Sequence, residues 1–203
     1  MVTRRAFLAT GLALATLPAL PAAADRVPGW TAQLLAAARA QIGVTLGYDP
    51  AYSSMSYPGG DVPRETGVCT DVVIRAYRDA FGLDLQQLVH DDMRANFSSY
   101  PALWGLTRTD RNIDHRRVPN LERYFERSGL KRDMPGRRED WQPGDLVTMR
   151  LHGRLPHIAI FSGHDRPSGR ARYIHNIGTG TREEEIRTDY DSPMRFRLVP
   201  PGY

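Results

Sequence analysis

The sequence predicts an α+β fold, with N-terminal helices packed on a C-terminal antiparallel sheet. Three observations carry the expectation. Apolar residues recur at helical spacing in several segments up to about residue 127. Beyond residue 145 the pattern changes to short runs rich in Val, Ile, Phe and Tyr, separated by turn residues. Helices come first and strands follow, and that segregation argues for an α+β fold in a single domain.

Taken in order, residues 1–24 read as an export signal. Arg4-Arg5 form a basic start, residues 6–20 an apolar stretch, and Ala22-Ala23-Ala24 a small-residue cleavage site. The stretch is too short to span a bilayer as a helix. Thr3-Arg4-Arg5-Ala6-Phe7-Leu8 is similar to the twin-arginine signal, which exports an already folded protein; the alternative is the general secretory route. No cysteine follows the apolar run, so no N-terminal lipid anchor is expected. The predicted location is the periplasm or the exterior, without a stable membrane anchor.

Residues 25–203 read as a single domain, expected to be monomeric. After a linker at 25–30, residues 31–42 predict a helix ended by Gly43. Residues 48–67 are rich in Pro and Gly and predict a loop. A helix starts near Cys69, with Val72, Val73, Ala76, Tyr77 and Ala80 on its buried face and Gly82 at its end. A second helix is predicted over 84–96, an irregular aromatic stretch over 97–119, and a helix over 120–127 after Pro119. Strands are predicted over 145–151, 155–162, 172–177 and 194–199, with a weaker one at 185–188, in a meander.

Composition narrows function. The chain is 41 % hydrophobic, 25 % charged and 9 % aromatic, which excludes disordered, collagen-like and coiled-coil classes. Lys+Arg number 27 against 23 Asp+Glu, a net charge of +4; loss of Arg4 and Arg5 with the signal leaves +2. That is too little for nucleic acid, which needs a clustered basic face. His115-Arg116-Arg117 and Arg137-Arg138 read as solvated surface, or as contacts to anionic wall polymers. A single cysteine excludes an internal disulfide and a cysteine-rich zinc knuckle.

In an exported protein a lone thiol is either a buried filler or a working group. Cys69 falls in the predicted first turn of a helix, where unpaired N–H groups and the helix dipole favour a thiolate and lower the thiol pKa. The same N–H groups suit an oxyanion. A thiolate hydrolase also needs a base and an orienting group. A hairpin centred on Arg166 pairs His157 with His175 on one side of the sheet, at cross-strand contact distance. A one-residue slip would bring Asn176 there instead, as the alternative orienter. Asp71 could face the cleft or serve as a first-turn carboxylate. Asp114-His115 could form a second acid–base pair or a solvated loop. Phe97, Tyr100, Trp104 and Tyr124 could line a groove or form a local core, and Asp145 reads as structural.

The order Gly67-Val68-Cys69-Thr70-Asp71-Val72-Val73, Pro143-Gly144-Asp145-Leu146-Val147, His157-Ile158-Ala159-Ile160-Phe161-Ser162-Gly163 and Tyr173-Ile174-His175-Asn176 resembles the NlpC-type papain-like cell-wall peptidases. The resemblance implies a papain-like fold with Cys69 as nucleophile, His157 as base and His175 as third member. Tyr57, in Tyr57-Pro58-Gly59-Gly60, is similar to the family's tyrosine that assists near the oxyanion. It covers roughly residues 48–178. The chain departs from it in Thr70-Asp71 after the nucleophile and in a longer segment around 84–140, a helical or irregular insertion. The text, including Asn112-Ile113-Asp114-His115-Arg116, is also very similar to a family of exported bacterial proteins of unassigned function. The resemblance implies hydrolysis of a peptide or amide bond of peptidoglycan, either in the stem peptide or at the muramoyl–alanine amide, with no metal or organic cofactor. Two other readings stay open: a non-catalytic wall-binding module of the same fold, and a zinc hydrolase using His152, His157 and His175. The latter lacks any His-Glu-x-x-His or His-x-His motif.

Overall fold

Four helices precede most of an antiparallel sheet in the computed structural model, which describes residues 28–137, 140–188 and 190–203. The protein is thus α+β. The predicted export signal lies outside the described residues.

Helix α1 (Gly29–Arg39) buries Leu34, Leu35 and Ala38. Two-residue strands β1 (Gly47–Tyr48) and β2 (Thr66–Gly67) pair in parallel within the segment predicted as loop. Helix α2 (Cys69–Phe81) ends at Gly82, whose φ of 65° is the left-handed cap that glycine adopts without strain. Helix α3 (Leu85–Ala95) is capped by Asp84, whose side chain accepts the Gln86 N–H at 3.1 Å. Helix α4 (Val118–Arg127) carries Pro119 in its first turn, where a missing N–H costs nothing. The irregular stretch between α3 and α4 holds two 3-10 turns, Phe97–Ser99 and Asp114–Arg116.

Strands β3 (Lys131–Arg132), β4 (Leu146–Leu151), β5 (Leu155–His164), β6 (Ala171–Asn176), β7 (Thr181–Glu184) and β8 (Tyr190–Phe196) form one sheet in the order β3-β8-β4-β5-β6-β7. The predicted meander holds from β4 to β7, but β8 returns to the opposite side of β4. Buried Asp145, at the entrance to β4, draws it there: Arg197 Nε and Arg195 Nη1 donate to its two oxygens at 2.7 and 3.2 Å, on either side of buried Phe196. The weak strand predicted at 185–188 lies instead at Thr181–Glu184, because the turn through Gly178 and Gly180 is tight enough for Thr181 to pair with Asn176 at once. Its acidic run hides it from strand propensity.

The β5–β6 register also differs from expectation. Ile160 faces Ile174 and Phe161 faces Tyr173, with a bulge before Gly163. His157 and His175 are therefore diagonal rather than directly opposite. The displacement is two residues, and an even shift leaves both side chains on one face.

Alternation along the strands divides the core. Leu146, Ile158, Ile160, Ile174 and Phe196 meet Leu34, Val73, Tyr77, Leu121 and Phe125 of the helices. Val147, Met149, Ala159, Phe161 and Tyr173 form a second cluster on the other face, against Trp141. Packing of α2 on β5 and β6 fixes its N-terminus beside the start of β5.

Candidate functional site

Cys69 is the first residue of α2, after an extended Val68 that has no side-chain cap to offer. Asp71 supplies the missing acceptor: its Oδ2 takes the Val68 N–H at 2.7 Å. Arg116 then grips Asp71 with both arms, Nε to Oδ1 at 3.0 Å and Nη2 to Oδ2 at 2.9 Å. Its other donor bonds reach the carbonyls of Ala51 and Asp49, and its own carbonyl accepts from Thr70 Oγ1 at 3.1 Å. Both partners of the ion pair are buried. Asp71 therefore holds the helix start and does not face a substrate, a correction to one of its two expected roles. A turn further on, fully buried Arg75 ties α2 to Asp61, Thr45 and the carbonyls of Val62 and Thr66. Gly67 sits in a tight place between them, where an added Cβ would stand 3.1 Å from both Arg75 Nη1 and Asp71 Oδ2.

The thiol does not have the depressed pKa that its helix position suggests. Burial pushes it up to about 11, outweighing the backbone N–H groups of Ile158, Thr70 and Cys69 that face the sulfur. Sγ thus lies against the peptide linking His157 to Ile158. The tyrosine beside it is Tyr48 of β1, whose phenol meets the thiol; burial and then Cys69 raise its pKa. Tyr57 does not line the Cys69 cleft. Its hydroxyl donates to Asp91 at 3.0 Å and its ring meets His90 edge-on. The Gly59 and Gly60 N–H groups bond Asp84 and Gln86, so this motif fastens a loop to the start of α3.

His157 Nε2 and His175 Nδ1 are 3.0 Å apart. Burial, reinforced for His157 by its neighbour, lowers the pair to about 3 and about 4, so both rings are neutral at neutral pH. His175 Nε2 is buried without a hydrogen bond, 3.9 Å from Glu184 Oε1. With Nε2–H on both rings, His157 donates to His175 Nδ1, and the lone pair of His157 Nδ1 is left to accept a proton. Asn176, the alternative orienter, is engaged elsewhere. Its Nδ2 donates to the carbonyls of Gly47 and Gly67 at 3.0 Å each, clamping β1 to β2.

A cleft of about 240 Å³ opens at Cys69, bordered by Tyr48, Trp104, Arg116, Arg117 and Pro156. Among the described residues a larger cavity, about 750 Å³, borders His175 and Glu184 on the β6–β7 side and does not include Cys69. The expected insertion supplies part of the cleft and the brace for α2. The Asp114-His115-Arg116 turn is buried, not a solvated loop. Asp114 lies 3.5 Å from His90 Nδ1, across to α3, and buried His115 is lowered to about 3. Tyr100 is buried and donates to Asp92, and it borders a small cavity of about 100 Å³ with Met93, Phe97 and the exposed Trp104. His152 sits on the exposed β4–β5 turn against Thr188 and does not join His157 and His175. Among the described residues no group of three or more His, Cys, Asp or Glu is arranged to hold a metal ion.

Sequence reasoning missed Tyr48, Arg116 and Arg117 as site residues. Tyr48 follows Gly47 just ahead of a Pro-rich loop, where no periodicity marks it, and Arg116 reads as one of a basic surface run.

The sequence model of a family described as "Domain of unknown function (DUF1287)" matches residues 35–198. An Escherichia coli (strain K12) protein described as "Uncharacterized protein YijF" is similar at 50 % identity over 181 residues, 89 % of this chain and 88 % of that one.

Proposed function

The chain belongs to the DUF1287 family, and from its site we propose that it is a thiol-dependent hydrolase of peptide or amide bonds, with an NlpC-type papain-like fold. One observation carries the reading: a lone cysteine at a helix N-terminus beside the strand that bears a histidine locked to a second histidine at 3.0 Å. A filler cysteine has no need of two buried neutral imidazoles nearby.

In this mechanism the resting pair is a neutral thiol and a neutral imidazole. As Sγ attacks the carbonyl carbon, its proton passes to His157 Nδ1 and negative charge moves to the carbonyl oxygen. The N–H groups of Cys69 and Thr70, which face the sulfur, and the Tyr48 hydroxyl receive that oxyanion. His175 accepts the Nε2–H of His157, fixing its tautomer, and steadies the imidazolium that forms. His157 then protonates the leaving amine and activates the water that hydrolyses the thioester. The substrate class we propose is a peptide or amide bond of peptidoglycan, reached after export to the periplasm or exterior. This rests on the resemblance of the motifs around Cys69, His157 and His175.

Digestion of purified muropeptides by the protein lacking residues 1–24 tests the proposal. Cys69→Ala and His157→Ala should abolish cleavage while leaving the fold intact, and His175→Ala should leave a residue of activity. Full activity in Cys69→Ala would remove the mechanism. The burial of the thiol, 3 % exposed and raised to about 11, favours a second reading, a wall-binding module that keeps the fold. That module would bind muropeptides equally well with Cys69→Ala and cleave none.

A further inference from the structure

We propose that Arg117, laid against Trp104, is a carboxylate-binding subsite of the Cys69 cleft, so that the amide cleaved carries a carboxylate close to its scissile carbonyl. This deepens the thiol-hydrolase reading and rests on it.

The cleft has an unbalanced charge. Two of its lining residues are cationic, Arg116 and Arg117, and no carboxylate lines it. Arg116 is neutralised by Asp71 and spends its remaining donors on backbone carbonyls. Arg117 has no such partner. Among the described residues no carboxylate lies within ion-pair distance of it, and its Nη1 is buried without a hydrogen bond. The acids whose field reaches it are Asp110 and Asp114. Asp110 accepts from the Tyr52 hydroxyl and the Asn112 N–H, and Asp114 accepts the Asp110 N–H.

Arg117 is also held in place. Its guanidinium carbon lies 4.0 Å from the centre of the Trp104 ring, a cation–π contact that fixes the plane of the fork. Its carbonyl accepts the Asn120 and Leu121 N–H groups that begin α4. A fixed, partly desolvated guanidinium that lines the Cys69 cleft and keeps an unpaired donor suits a planar anion with two oxygens. Desolvation already disfavours the charged form of Arg117, so an incoming carboxylate restores what burial removes.

Two alkylating reagents of nearly the same shape test this on the protein itself. Iodoacetate carries a carboxylate where iodoacetamide carries a neutral amide, and both place it beside the carbon that Sγ attacks. The rate of each at Cys69 is followed by intact mass, and free cysteine in the same buffer supplies the reference ratio. The iodoacetate-to-iodoacetamide ratio should exceed the reference by about tenfold, the effect of one charge-assisted contact. Arg117→Gln should return the ratio to the reference. Arg117→Lys, which keeps the charge but loses the flat stack, should fall between. A reference ratio in the parent protein, or a raised ratio that survives Arg117→Gln, overturns the subsite and leaves the hydrolase reading standing. A Cys69 inert to both reagents in the folded protein overturns the hydrolase reading and the subsite with it. Should Arg117→Gln fail to fold, Trp104→Phe, which weakens the stack alone, must still lower the ratio.

Discussion

Lowering the pH from 7 to 5 should cost this protein a large part of its stability, because it buries three neutral histidines. His157 and His115 are lowered to about 3 and His175 to about 4, in each case chiefly by burial. In the unfolded chain all three titrate near 6.5. A depressed pKa contributes stability that is complete above the unfolded value and drains away as pH falls towards the folded one. At pH 5 each unfolded histidine is protonated while its folded counterpart is not, a loss of about 2 kcal/mol per group and about 6 kcal/mol for three. That is comparable to the whole stability of many domains, about 5–15 kcal/mol. Buried Asp114, raised above the usual carboxylate range, works in the opposite sense, but through a single proton. Urea titrations at pH 7, 6 and 5 give the free energy at each pH. The expected drop is steepest between 6 and 5, and His115→Gln should reduce the total by about one third, whatever its own effect at pH 7. A stability that is flat from pH 7 to 5, or a drop undiminished in His115→Gln, would refute the claim that these rings are held neutral by burial.

Three further outcomes follow from the same geometry. Tyr48→Phe should slow muropeptide cleavage by roughly 10²-fold with little change in binding, as loss of an oxyanion donor does, whereas Tyr57→Phe should leave the rate unchanged; kcat and KM measured for both decide between the two tyrosines. Asp71→Ala strands buried Arg116 and should lower stability by about 3–5 kcal/mol in urea, taking activity with it. Gly67→Ala forces a methyl group against Arg75 and Asp71 and should cost about 1–3 kcal/mol by overpacking, seen as a lower thermal midpoint.

The periodic parts of the chain are legible from sequence: all four helices and the strands β4, β5 and β6 occur close to where alternation and helical spacing place them, whereas β8, predicted over 194–199, runs over Tyr190–Phe196. Helix α2 begins at Cys69 after the extended Val68, and Val72, Val73 and Ala76 repeat at helical spacing. The histidines meet although the register differs by two residues, since only an odd shift would have separated them. What sequence could not convey is long-range pairing without periodicity. Tyr48 reaches the thiol through a two-residue strand, too short to leave a pattern. Arg116 leaves the predicted surface because its partner, Asp71, stands far back in the chain. The thiol pKa is misjudged for a related reason, since local helix position is readable and burial by β5 is not.

The Asn176 clamp bears on when the site comes into being during synthesis. Its side-chain amide joins carbonyls that precede it by 129 and 109 residues. Closing loops of that length carries an entropic penalty that no local contact offsets, so such links form late in folding. Until β6 has left the ribosome and docked, β1 and β2 lack the group that binds them, and neither Tyr48 nor Gly67 has a fixed place. The thiol, its histidines and the tyrosine therefore come together in one cooperative event near the end of folding. An incomplete or nicked chain therefore has a cysteine but no assembled site, because the clamp that orders Tyr48 and Gly67 is missing.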